Sequence, residues 1–232
     1  MVDDRDLRPS TSQSDEASAP ASVQSMVQEW RTRGRPGQPP ICWPRDRWVA
    51  AFPARASVFE RLPVRLDREV VRTAVRHALD LDDAIGAFLP CVAWGFGRVG
   101  YGPFRVSRML GAGDADSKLA AVAEIAAAGR PVDAYRLLGG ASRLDQLGPA
   151  FGTKFLYFVD RRGLILDRVI ARCLVRMSDL RFDPARWDPA GYQRYLDVLA
   201  SWSGELGLQA DELEHVLFTD EARRTGSQWG SR

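Results

Sequence analysis

The sequence predicts an all-α protein, a two-lobed helical domain. Three observations predict it. Apolar residues recur at helical spacing through most of residues 67–223, Asp or Ser stands ahead of these segments and Gly or Pro behind them, and no clean apolar–polar alternation of strand length occurs. At 232 residues the chain suffices for one buried core in two lobes. The composition, 45% hydrophobic and 27% charged, is that of an ordinary globular chain. No apolar run approaches the roughly 18 residues that cross a bilayer, and the opening MVDDRDLRPS is too acidic and polar for a secretory signal. A cytoplasmic monomer with no membrane partner is expected.

Taken in order, residues 1–40 read as a disordered tail and linker. The first 22 lack periodic apolar positions, RTRGRPGQPP at 31–40 is basic and rich in Pro and Gly, and Val23–Trp30 between them supports only a short helix. Residues 41–223 form the folded domain. From Cys42 to Leu66, Trp43, Trp48, Phe52 and Phe59 alternate with prolines, as in short helical turns packed on a core. Asp67–Asp80 is an amphipathic helix with an aspartate cap. A shorter helix, Asp82–Leu89, is expected to stop at Pro90. The loop AWGFGRVGYGPFR follows, whose interleaved glycines and aromatics (Trp94, Phe96, Tyr101) suit the wall of a pocket for a planar ligand. Helices over Phe104–Leu110, Asp116–Ala128 and Val132–Leu138 come next, the second closed by Gly129-Arg130-Pro131 and the third by Gly139-Gly140.

Over 142–160 the outline is helix, tight glycine turn, helix: Ser142 caps a short helix ending at Gly148, the turn is Gly148–Gly152, and a second short helix runs from Thr153 to Val159. Asp167 then stands at an N-cap ahead of Arg168–Met177. Pro189–Leu206 and Gln209–Arg223 complete the helices, and 224–232 are a flexible tail.

Charge and rare residue types narrow the function. Net charge is only +2, but from Ala141 to Arg181 eight basic residues face four acidic ones, the kind of local excess that neutralises phosphate. Three widely separated cysteines and two histidines give no disulfide framework, no metal set and no Ser-His-Asp triad. Neither a metal nor a cofactor is expected.

GPAFGTKF at 148–155, followed by LILDRVIARCL at 164–174, resembles the helix-hairpin-helix DNA glycosylase superfamily and its 8-oxoguanine glycosylase branch, whose hairpin of the form LPGVGTK ends in a nucleophilic lysine. The adenine glycosylases of that superfamily carry a segment like ILDxxVxRVLAR around a catalytic aspartate. Gly152-Thr153-Lys154 matches the glycine, threonine and lysine; Asp167 matches the aspartate, with Leu166 and Ala171-Arg172 as its flanks. Ala150 replaces the first hairpin glycine, and Gly148 stands where leucine is usual.

The resemblance implies a DNA glycosylase acting on an oxidised base such as 8-oxoguanine, with lyase activity through a Schiff base on Lys154, and Asp167 stabilising the developing sugar cation. It implies a DNA-binding hairpin of Gly148, Ala150, Phe151, Gly152 and Thr153, whose amides at a helix start would take a phosphate. Arg161, Arg162, Arg168 and Arg172 would hold neighbouring phosphates. Independently of the family, only Lys118 and Lys154 among 32 basic side chains are lysines, and lysine, unlike arginine, can shed its proton to become a nucleophile. A hairpin module that binds DNA without excision, with Lys154 on a phosphate, is the alternative.

Overall fold

A computed structural model describes residues 18–178 and 180–226. Its order is α1 (Ala21–Thr32), β1 (Ile41–Cys42), α2 (Arg45–Ala51), a 3₁₀ turn (Pro53–Arg55), α3 (Ala56–Glu60), β2 (Arg65–Leu66), α4 (Arg68–Leu79), α5 (Ala84–Phe96), α6 (Gly102–Met109), α7 (Ala115–Ala127), α8 (Pro131–Gly139), α9 (Pro149–Val159), α10 (Arg168–Met177), α11 (Pro189–Leu206) and α12 (Ala210–Arg224). The all-α expectation holds. β1 and β2 form one antiparallel pair, Ile41 opposite Leu66. At two residues each they are too short to show alternation in the sequence.

The central helix is α5. Eleven of its thirteen residues are buried, and α4, α6, α7 and α9 pack around it. This corrects the expected stop at Pro90, because the helix runs on through that proline to Phe96. A proline inside a helix costs about 3 kcal/mol. A segment apolar on every side recovers that cost by burial, since each large side chain removed from water contributes about 1.5–3 kcal/mol. Trp94 and Phe96 are thus helical, and only residues 97–101 form a loop.

Residues 19–40, expected as tail and linker, also belong to the folded body. Val23, Met26, Val27 and Trp30 line one stripe of α1, which packs on α12. The following turn is tied down where Pro36 O accepts from Trp30 Nε1 and lies 3.1 Å from His215 Nε2. Four apolar positions between polar, Pro-rich flanks look isolated, and the partner that buries them lies nearly the whole chain away. Residues 1–17 and 227–232, expected as tails, lie outside the described residues.

The third correction falls on 141–148, where the expected helix is a pair of turns with Gln146 at φ 63°. The paired helices are instead α8 and α9, and α9 starts at Pro149, four residues earlier than expected. Proline at the first helical position has the right φ and no amide to leave unbonded. Among the described residues no helix is long and apolar enough to cross a membrane, and no three His, Cys, Asp or Glu side chains gather as a metal site.

Candidate active site

Lys154 sits midway along α9, buried on the face toward α5 and α10, and only 4% exposed. Its Nζ donates to Asp167 Oδ2 at 2.9 Å and to Ala150 O at 3.4 Å. Asp167 is the N-cap of α10, and its Oδ1 accepts from the amides of Val169 (3.0 Å) and Ile170 (3.3 Å). One oxygen is therefore committed to the helix and the other faces the lysine. Burial pushes the Asp167 carboxyl up, but the Lys154 charge and hydrogen bond and the two amides outweigh it, so the group lies below the ordinary carboxylate range. Asp167 is ionised at neutral pH.

Three side-chain hydroxyls fix the register between these residues. Thr153, adjacent to the lysine, accepts from Leu166 N at 3.1 Å and donates to Ala150 O at 3.2 Å. Tyr192 OH donates to Leu164 O at 2.9 Å, and Tyr195 OH to Ile165 O at 2.7 Å. Burial pushes both phenols well up, so they remain donors. The apolar run Leu164–Leu166 carries no ladder of its own, and these bonds satisfy its backbone and aim Asp167 at Nζ.

Gly95 supplies the room. A Cβ there would stand 2.7 Å from Phe151 Cε1 and 3.1 Å from Lys154 Cδ. The glycine lets the lysine stem and the Phe151 ring pass over α5. Phe151 in turn stacks on Phe96 at 4.4 Å between centroids, and Nζ lies 5.7 Å from the Phe151 ring centre.

A second buried pair lies close by. Arg68 Nη1 donates to Glu214 Oε2 at 2.6 Å and its guanidinium covers Tyr157, one turn beyond Lys154, at 4.9 Å. Burial raises the Glu214 carboxyl; Arg68 opposes, the charge of Asp167 adds to the rise and that of Lys154 opposes it, so the two pairs sense one another.

The other expected residues divide. Arg168 and Arg172 stand exposed on the first turns of α10 beside Asp167, Arg172 Nε reaching Glu221 only at 4.0 Å. Arg161 pairs with Glu69 and Asp211 and Arg162 with Asp160, so a phosphate at either would compete with a carboxylate, although both guanidiniums are more than half exposed. The amides of Phe151 and Gly152 both bond Gly148 O at 3.1 and 3.0 Å, and Pro149 has none. The early helix start thus consumes the donors expected for a phosphate. Gly152 is buried beneath Trp187 and Leu138, and Thr153 faces inward, so neither can meet DNA; Gly148 and Ala150 remain at the helix start.

Trp94, Phe96 and Tyr101 do not form the expected pocket wall. Trp94 packs in the core edge-on to Phe158 at 5.1 Å, Phe96 lies beneath Phe151, and Tyr101 is 61% exposed. Sequence reasoning missed Tyr192, Tyr195 and Gly95 as parts of the site. The tyrosines fit the core periodicity of α11, and nothing in their spacing signals that their hydroxyls hold a distant loop.

A protein-family model described as "Putative 8-oxoguanine DNA glycosylase OGG-like protein" matches residues 34–218, a span that contains Gly95, Lys154, Asp167 and both tyrosines. No curated protein and no solved structure matches the chain.

Proposed function

Since this chain belongs to the OGG-like family, whose description is "Putative 8-oxoguanine DNA glycosylase", we propose that it excises an oxidised or otherwise modified base from duplex DNA with Lys154 as nucleophile and Asp167 as its electrostatic partner. The observation that carries this reading is the buried 2.9 Å contact between Nζ and Oδ2. A lysine serving only to touch a phosphate belongs in solvent, as Arg168 is. One held 4% exposed against an ionised carboxylate supports a chemical role.

The steps follow from the groups present. Lys154 reacts as the free amine, its ammonium proton having passed to water, and the lone pair attacks C1′ of the extruded nucleotide. The bond from C1′ to the base breaks and its electron pair leaves with the base, which takes up a proton from water. The Asp167 carboxylate, ionised throughout and fixed by the Val169 and Ile170 amides, stabilises the positive charge on the sugar. Ring opening moves a proton from the attached nitrogen to O4′ and gives an iminium between Nζ and C1′; a water molecule then takes the C2′ proton and the 3′ phosphate leaves by β-elimination. Arg168 and Arg172 hold the flanking phosphates.

The test is a panel of duplexes, each carrying one modified base, incubated with the protein and borohydride. A covalent adduct with at least one lesion is expected, and no adduct with any lesion refutes the proposal.

A further inference from the structure

Helix α4 carries more apolar surface than the core takes up. Val71 and Val75 are fully buried, but Val70 and Ala74 on the neighbouring stripe are only half-buried, and Leu81 just beyond the helix is 63% exposed. Val70, Ala74 and Leu81 line a cavity of about 490 Å³, bounded also by Val58 of α3, by Leu62 and by the first half of α5. The space exists because the facing walls are small: α4 contributes Ala74 and Ala78, and α5 contributes Gly86 and the ring of Pro90. Protein interiors leave few voids larger than a water molecule, and this volume falls in the range of small-molecule sites, roughly 300–1,000 Å³. Neither Lys154 nor Asp167 lines it.

The charges at its mouth are unequally engaged. Of the two lining carboxylates, Glu69 accepts from Arg72 and Arg161, and Asp83 accepts from Arg55 and from the Gly86 amide. The two lining basic groups, Arg61 at the end of α3 and His77 on α4, are exposed and lie against each other, Nη1 to Nε2 at 3.4 Å. Among the described residues neither is paired with a carboxylate. A guanidinium has five N–H donors, and His77 takes one of those of Arg61. An uncompensated positive charge therefore stands over an apolar interior.

We infer that this cavity is a binding site for a small amphiphilic carboxylate, its apolar body against Leu62, Val70, Ala74 and Pro90 and its carboxylate on Arg61 and His77. Both halves of the ligand are needed. An exposed arginine alone holds an anion weakly in water, and an apolar molecule alone leaves Arg61 without its counter-charge. Joined, the apolar body is removed from water and brings the carboxylate to the guanidinium fork, which takes it with two hydrogen bonds. The site lies apart from the lysine and does not depend on the glycosylase reading.

The test is calorimetric titration of the full chain with octanoate, octanol and acetate. Octanoate should bind saturably, octanol about tenfold more weakly, the scale of a charge-assisted hydrogen bond, and acetate not at all. Arg61→Ala should bring octanoate down to the affinity of octanol and leave octanol unchanged. Arg76→Ala, which removes an exposed arginine of the same helix outside the cavity, should bind as the parent does. Ala74→Leu fills the space and should abolish both octanoate and octanol binding. Cooperative thermal unfolding in each variant separates a lost site from a lost fold, and should Ala74→Leu not fold, the contrast between Arg61→Ala and Arg76→Ala decides. No saturable binding of octanoate, octanol bound as tightly as octanoate, or equal losses in Arg61→Ala and Arg76→Ala overturns the site. So does sedimentation that shows a dimer of the parent dissociated by Ala74→Leu, which would assign the cavity to a second copy of the chain.

Discussion

Replacing Lys154 by methionine keeps the side chain's length and apolar stem and removes its charge, which isolates the ion pair as a contributor to stability. Asp167 would then be a buried carboxylate, its side chain 12% exposed, with Oδ1 still held by two amides and Oδ2 left without a partner. Breaking a buried pair from one side costs about 3–5 kcal/mol. The surviving amide bonds place this case near the lower end, about 3 kcal/mol at pH 7. Equilibrium denaturation measures it.

The sign of the pH dependence follows from the lowered Asp167 group. In the parent its contribution is fully present above the unfolded carboxylate pKa of about 3.9 and is lost as pH falls through the folded value, which lies lower still. In Lys154→Met burial acts without its counter-charge, so protonation relieves the variant and its deficit should shrink as pH is lowered from 7 toward 4. Adding Asp167→Asn to Lys154→Met should recover most of the loss, because an apolar and neutral pair has no uncompensated charge. A Lys154→Met protein as stable as the parent at pH 7, or a deficit that grows toward pH 4, refutes the reasoning.

Thr153→Val removes the acceptor of the buried Leu166 amide at nearly constant volume, so it should cost about 1–3 kcal/mol in denaturation; it should also slow excision by loosening the Asp167 approach, while Thr153→Ser keeps both properties. Gly95→Ala places a methyl against Phe151 and the Lys154 stem; borohydride trapping should fall sharply with a loss of about 1–3 kcal/mol in stability. Arg168→Ala and Arg172→Ala should each lower the salt dependence of DNA binding by about one unit of slope, measured by titration across ionic strengths, whereas Arg162→Ala, whose guanidinium is held by Asp160, should leave it unchanged.

What was legible in the sequence was what depends on local spacing. Asp67 caps α4 through Val70 N, and Asp167 caps α10 as its position predicts, because a cap needs only its own next three residues. The choice of lysine at 154 was legible because every neighbouring cation is an arginine. What depends on distant partners was not legible. α1 is stabilised by α12, α5 runs through Pro90 because the helices packed around it bury it, and Tyr192 and Tyr195 gain their roles from a loop nearly thirty residues earlier. The aromatic run after α5 read as a pocket since glycine and aromatic residues serve close packing and ligand contact alike. Burial decides between them, putting Trp94 inside and Tyr101 outside.

The central claim is that Nζ of Lys154 forms the covalent bond to C1′. The most direct measurement is to reduce the protein with borohydride on a lesion-containing or abasic duplex, digest the adduct and locate the modified residue by mass spectrometry. The account predicts the deoxyribose remnant on Lys154, and no adduct for Lys154→Gln. An adduct on Lys118 or at the chain's amino terminus, or one undiminished in Lys154→Gln, would contradict it.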